Sequence, residues 1–198
     1  YRRGDSPRRI HWPQSARHDA LMVCELESRA TPRILIVIET NPGAHAGSGS
    51  GGSFEWSIRV AVSFAEDWLG QGVDVRLAFG RHRVDVGGGS VETRRIRVLD
   101  ALARLRQDAE TPLAEVLSAS ASPDLGLRIV VATDRSFASH APSPSRVDRF
   151  VLLRADAFEE GGKGRGASPA WLRPWIWIDD PDDVAGQVRR GWREVAVG

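Results

Sequence analysis

Hydrophobic residues along the chain gather in short apolar runs separated by segments with helical spacing. Residues 34–38 read ILIVI, an unbroken β-branched and leucine run. Such a run is buried on both faces and predicts an inner strand of a parallel sheet. Residues 127–132 (LRIVVA), 150–153 (FVLL) and 175–178 (WIWI) repeat the signal, and 21–26 predicts a short edge strand. Val73, Val75, Leu77 and Phe79 alternate, Gly80-Arg81 makes a tight turn, and residues 82–86 alternate again, which predicts a β-hairpin. Helical spacing places Phe54, Ile58, Ala61, Ala65 and Trp68 on one stripe of a helix over 54–69, ended by Gly70 and Gly72. Val98, Leu102 and Leu105 define a helix over 94–106. A shorter helix covers 112–118 with Pro112 in its first turn, and Val184, Val188 and Trp192 define a last helix over 182–192. Between these lie polar, Arg-rich residues 1–20, read as an ordered loop or short helical turns, a Gly/Ser loop over 41–53 and a Gly- and charge-rich loop over 159–168. Strands alternating with helices predict an α/β domain: a mostly parallel sheet, helices on both faces, and one antiparallel edge hairpin.

Composition narrows the class. The chain has 198 residues, 41% hydrophobic and 27% charged, enough for one sizeable globular domain. Its net charge of +1 supplies no basic field for nucleic acid. Cys24 stands alone, so no disulfide forms within the chain. No apolar run reaches membrane-spanning length. A start at Tyr1, with the only methionine at Met22, reads as a piece of a longer protein. Trp171, Trp175, Trp177 and Trp192 cluster late in the chain, with Trp175 and Trp177 expected on one strand face and Trp192 packing against them.

In an open sheet of this kind, ligands bind beyond the carboxyl ends of the strands. That rule brings together the loop beginning Glu39-Thr40-Asn41-Pro42-Gly43 and the loop beginning Thr133-Asp134. Two carboxylates with neighbouring polar groups suggest a hard cation such as magnesium. The element order, with a hairpin after the first helix and Thr-Asp at the fourth strand, resembles the von Willebrand factor type A fold. That fold carries a metal-ion-dependent adhesion site built from Asp-x-Ser-x-Ser after the first strand, a threonine from a later loop and an aspartate after the fourth strand. The resemblance puts Glu39 at the aspartate, Asn41 and Gly43 at the two serines, Thr93 at the threonine and Asp134 at the second aspartate. Two hydroxyls are lost and the key carboxylate is one methylene longer, so the expectation is a degenerate, metal-free crest. A working magnesium site on Glu39, Asn41 and Asp134 is the alternative.

The first 27 residues, YRRGDSPRRIHWPQSARHDALMVCELE, carry a second resemblance. An aromatic-Arg pair, Gly4-Asp5, Arg8-Arg9-Ile10, Trp12, Ala16-Arg17 and Leu21 leading into a Val-x-Glu segment are similar to the signature of the domain-of-unknown-function 58 family. The resemblance implies a signature segment over 1–30 packed on a domain over 31–198. It implies a parent protein anchored by preceding membrane spans, with this domain on the cytoplasmic side. It implies a MoxR-type AAA+ ATPase as partner and an adaptor role with no enzymatic activity. Asp5, Arg8, Arg9, Trp12 and Arg17 are then either a docking surface or a structural clasp, with Trp12 packed under the sheet.

Other motifs point to different chemistry. Gly47-Ser48-Gly49-Ser50-Gly51-Gly52 matches G-x-G-x-x-G between a strand and a helix, which keeps a nucleotide-binding enzyme as an alternative. Eight residues separate it from the strand, however, and no acidic residue closes the next strand. Gly161-Gly162-Lys163-Gly164 lacks the hydroxyl residue of a phosphate loop. His11, His18, His45, His82 and His140 show no zinc spacing, and no G-x-S-x-G elbow exists. Glu39 and Asp134 remain as an acid/base pair for a hydrolase, without an evident nucleophile.

Overall fold

An unbroken β-branched and leucine run dominates residues 33–38, and it forms β1, Arg33–Ile38, at the centre of the sheet. The structure, a computed structural model, describes residues 12–18, 20–22, 33–122, 124–137, 145–159, 162 and 173–195. The chain divides into two compact units, Tyr1–Ala30 and Thr31–Gly198. In the first, α1 spans Trp12–His18, and the Ser15 hydroxyl accepts the Met22 backbone N–H at 2.9 Å. Trp12 is 62% exposed. It is the first residue of α1. Leu21 and Met22 are exposed and outside any strand; the rest of the strand predicted over 21–26 lies outside the described residues, as do Asp5, Arg8 and Arg9.

In the second unit, β1 is followed by α2 (Ser53–Gly70), β2 (Asp74–Phe79), β3 (His82–Asp85), α3 (Val91–Ala103), α4 (Leu113–Ala119), β4 (Leu127–Thr133), β5 (Asp148–Leu153), β6 (Ile176–Ile178) and α5 (Val184–Val195). The sheet order is β3-β2-β1-β4-β5-β6, parallel throughout except for the β2–β3 hairpin. This is the von Willebrand factor A-like α/β architecture, a doubly wound sheet with one antiparallel edge.

Side-chain alternation divides the core between the two faces. Ile34, Ile36, Ile38, Leu77, Ile129 and Val151 pack with α2, α3 and α5 through Phe64, Val98, Leu102 and Val184. Leu35, Val37, Val130 and Leu152 point the other way, onto Leu113, Val116 and Leu117 of α4. Ile36, Val37 and Val130 are fully buried, and each such side chain stabilises the fold by about 1.5–3 kcal/mol. Under α2, Phe64, Trp68, Trp175 and Trp192 form an aromatic cluster with ring centroids 5.1–5.8 Å apart.

Several boundaries differ from the sequence expectation for local reasons. Helix α3 begins at Val91, not 94, because the Ser90 hydroxyl caps it by accepting the Thr93 N–H. Gly88 and Gly89, with φ of +80° and +95°, make the turn into that cap. Pro112 lies just outside α4 with extended ψ, and its carbonyl accepts from Glu115 and Val116. Helix α2 runs through Gly70 and turns at Gly72, φ +78°. Trp175 and Trp177 do not share a face: Trp175 sits at a bend before β6 and joins the α2–α5 cluster, whereas Trp177 packs on the α4 side. Strand alternation does not apply to a residue outside the pleat.

One buried ion pair ties the α4 face together. Arg128 of β4 and Asp148 of β5 pair bidentately at 2.7 and 2.8 Å, with both side chains almost fully enclosed. Arg128 also donates to the Leu117 carbonyl at the end of α4, and Asp148 accepts the Ser145 N–H. Removing one partner leaves an uncompensated buried charge, so Asp148→Ala is expected to cost about 3–5 kcal/mol in chemical denaturation. Arg128→Met combined with Asp148→Leu is expected to recover most of that loss.

Candidate functional site

Strands β1 and β4 are parallel neighbours, with Ile38 opposite Val131, and the Glu39 N–H extends the ladder to the Val131 carbonyl at 3.0 Å. From β1 the chain crosses to β2 on one side, while β4 continues to β5 on the other. The strand order therefore reverses here, and the loops after β1 and β4 part to leave a crevice. Glu39 and Asp134 stand on the same rim, as the sequence predicted.

The crevice is a cleft of about 530 Å³. Glu39, Asn41 and Ala44 line one side, Arg135, Ser136 and Phe137 another, and Leu113 and Glu115 of α4 close it. Glu39 is 3% exposed. Its Oε1 accepts the N–H groups of Thr40 and Asn41, both at 2.8 Å, and the neighbouring Ser136 side chain also favours the charged form. Burial pushes the Glu39 carboxyl above the ordinary carboxylate range, against the pull of those donors. Asn41 caps the turn Pro42–Ala44 by accepting the Gly43 N–H at 2.9 Å. Gly43 adds no side chain, and a Cβ there would come 3.3 Å from the Asn41 Oδ1. Asp134 turns toward the β5 loop, where its Oδ1 accepts from Arg135 N (3.0 Å) and Ala155 N (2.9 Å). Arg135 is held by Asp156 and Glu159 at 2.6 and 2.7 Å, which raise its pKa further.

Glu39, Asn41 and Asp134 thus use their side-chain oxygens to accept backbone N–H groups. Magnesium needs about six oxygens in an octahedron. Among the described residues, no three His, Cys, Asp or Glu side chains are grouped as a metal would require, and the Arg135 cation lines the same cleft.

Thr93 is not at the crest. Strand β3 runs back from the carboxyl rim, so α3 starts at the opposite edge of the sheet, where Arg94 donates to the carbonyl of Val73 just ahead of β2. Thr93 serves the α3 cap instead, 2.9 Å from the Ser90 hydroxyl. The loop after α3 supplies the crest residues that sequence reasoning missed. Asp108 N–H donates to the Thr40 carbonyl at 2.8 Å, and Asp108 accepts from Glu110 N and the Thr111 hydroxyl. An aspartate two and three residues ahead of such donors is an Asx-turn signal that was available in the sequence.

His45 was also missed. It is 8% exposed, with Nε2 2.9 Å from the Glu39 carbonyl and Nδ1 3.2 Å from the Ser53 hydroxyl. A carbonyl only accepts, so Nε2 carries the proton. Ser53 accepts the Ala46 N–H at 2.9 Å, which leaves its own proton for Nδ1. Burial pushes the imidazole below its ordinary value, against the Glu39 carbonyl bond. The Gly/Ser stretch 47–52 folds back on this assembly: Gly47 takes φ +72°, and a Cβ there would stand 2.2 Å from the Phe158 carbonyl. None of residues 47–52 lines the crest cleft.

No family model and no curated protein matches the chain. Among solved structures, the conserved hypothetical protein BatB from Bacteroides thetaiotaomicron is similar at 12% identity and a TM-score of 0.41, over 62% of this chain and 66% of that one. An aerotolerance-related membrane protein from Bacteroides fragilis NCTC 9343 is similar at 10% identity and a TM-score of 0.39, over 72% of this chain and 74% of that one.

Because the folded chain disfavours the imidazolium of His45, the unfolded chain binds that proton more readily. Stability then falls as pH drops through the ordinary histidine value near 6.5. His45→Gln keeps a donor for the Glu39 carbonyl and removes the titration. Thermal melts between about pH 7.5 and 5.5 are expected to show a shallower decline for the variant than for the parent. The raised Glu39 carboxyl acts in the other sense, losing stability as pH rises through its folded value.

Proposed function

We propose that the domain is a non-enzymatic protein-interaction module that receives a partner at the crest cleft without a metal. The observation that carries this reading is the cleft itself, at the reversal of strand order and lined by Glu39, Asn41, Ser136 and Arg135. Its candidate acids and base are fixed by other duties. Glu39 and Asp134 hold backbone N–H groups, and both His45 ring nitrogens are in use inside the fold. That arrangement supports recognition over general acid/base chemistry, which needs a group free to reach a substrate proton.

The resemblance of the first 27 residues to the domain-of-unknown-function 58 family supplies the finer reading. The partner is a MoxR-type AAA+ ATPase, and the parent protein presents this domain at the cytoplasmic face of a membrane. No described helix is long and apolar enough to cross a membrane.

The test is binding of the MoxR-type ATPase from the same genome, by surface plasmon resonance. Asn41→Trp obstructs the cleft mouth without entering the core, and Glu39→Ala with Asp134→Ala removes both carboxylates. Each is expected to weaken binding by roughly tenfold or more, while Asp124→Ala, an exposed change at the opposite rim, leaves it unchanged. Unaltered binding by Asn41→Trp removes the crest from the interface.

The metal-free reading has its own check. An ion that binds only the folded state raises the melting temperature by mass action. Millimolar magnesium or manganese is expected to leave the melt where it was. A reproducible rise that Glu39→Ala abolishes establishes a metal site.

A further inference from the structure

The carboxyl rim carries a second cavity, separate from the crest cleft. It is about 440 Å³ in volume and lies between the β2–β3 hairpin and the carboxyl end of α3. Phe79, Val84 and Leu105 give it an apolar floor. Val84 and Leu105 are packed on the core yet only partly buried, so the groove exposes apolar surface that water solvates poorly.

Its rim is basic. Arg106 forms no ion pair among the described residues and is exposed. Arg104 is 78% exposed and paired only with Asp100, one turn earlier on the same helix. An exposed pair of that kind is worth little and exchanges readily for a stronger carboxylate partner. His82 is exposed beside Phe79, with ring centroids 5.7 Å apart, and Arg81 next to it is paired with Glu110 at 3.8 Å. Arg83 also lines the groove but is structural. Its guanidinium donates to the carbonyls of Gly80, His82 and Val116, and burial lowers its pKa.

We propose that this groove docks an acidic peptide segment of a partner protein, with one large apolar side chain on the floor and flanking carboxylates on Arg104 and Arg106. The volume of about 440 Å³ accommodates one large anchoring side chain. The charge pattern favours carboxylates over a nucleic-acid backbone. Asp108 and Glu110 interrupt the basic ring, and the whole chain carries a net charge of only +1. The groove stands independently of the crest reading, and residues of the two can be altered separately.

The experiment is fluorescence anisotropy with labelled ten-residue peptides in which glutamate and aspartate flank a single Leu, Phe or Trp. At least one is expected to bind, with affinity falling as salt rises. Replacing the apolar residue by Ala, or the acids by Lys, is expected to weaken binding roughly tenfold or more. Arg104→Glu with Arg106→Glu is expected to do the same; both positions are exposed, and a thermal melt confirms the fold. Asn41→Trp, in the crest cleft, is expected to leave peptide binding unchanged. The proposal is overturned if no peptide of the set binds, if the charge reversal has no effect, or if single-stranded DNA binds as well with the same sensitivity.

Discussion

The pairing of β1 with β4 is the constraint on which the rest of this domain depends. Two apolar runs far apart in sequence meet in register, and the ladder continues one residue beyond β1, where the Glu39 N–H reaches the Val131 carbonyl. That bond fixes the direction in which the chain leaves the sheet. Thr40, Asn41 and the turn Pro42–Ala44 follow over one side of the crevice, and Thr133 clasps the far end of that turn by donating to the Ala44 carbonyl. A one-residue slip of β1 would send Ile36 and Ile38 to the α4 face and Glu39 into the core, so the hydrophobic pattern and the crest geometry are one specification.

Glu39 shows how the crest resolves a conflict. A carboxylate so deeply enclosed is costly, and burial is the largest influence on its proton affinity. Two backbone N–H groups and the Ser136 hydroxyl offset part of that cost. The longer glutamate side chain can fold back onto the backbone just after itself, as an Asx-type turn would with a shorter acid, and so becomes part of the scaffold. Asp134 does the equivalent on the neighbouring strand by capping the turn after β5 through Ala155. Both acids therefore brace loops beside the cleft, Glu39 from its lining and Asp134 from behind Arg135, and such bracing favours preorganised recognition.

How much of this was legible in the sequence follows from the range of the interactions. The inner strands and the core stripes of α2, α3 and α5 were readable because burial imposes a period, and period survives in one dimension. The shared rim of Glu39 and Asp134 was readable because parallel strands linked by helices must end on the same side. Thr93 was misplaced because the Ser90 cap starts α3 a turn earlier and the hairpin reverses direction, which carries it to the far rim. His45 was passed over because nothing local marks it: its partners are the Glu39 carbonyl and Ser53, brought together only when the Gly/Ser stretch folds back. Trp175 packs on Trp192 as its spacing predicts, whereas Trp177 falls on the opposite face because a bend before β6 breaks the pleat alternation between the two.

The loop after α3 links the two surfaces of the rim. Asp108 holds the Thr40 carbonyl from the groove side, while Thr40 supplies one of the N–H groups that hold Glu39 on the cleft side. Gly80 lets this crossing happen: its φ is +49°, and a Cβ there would lie 2.8 Å from the Asp108 carboxylate, so any larger residue would push the loop away. The hairpin, the α3–α4 loop and the β1 crest are thus locked by short backbone contacts with little room to move independently. A partner occupying both surfaces would meet them at a fixed spacing, with the acid-rich neighbourhood of Arg135 on one side and the basic edge of Arg104 and Arg106 on the other. The two surfaces of the rim thus differ in charge, and a partner patterned for one would set like charges against the other.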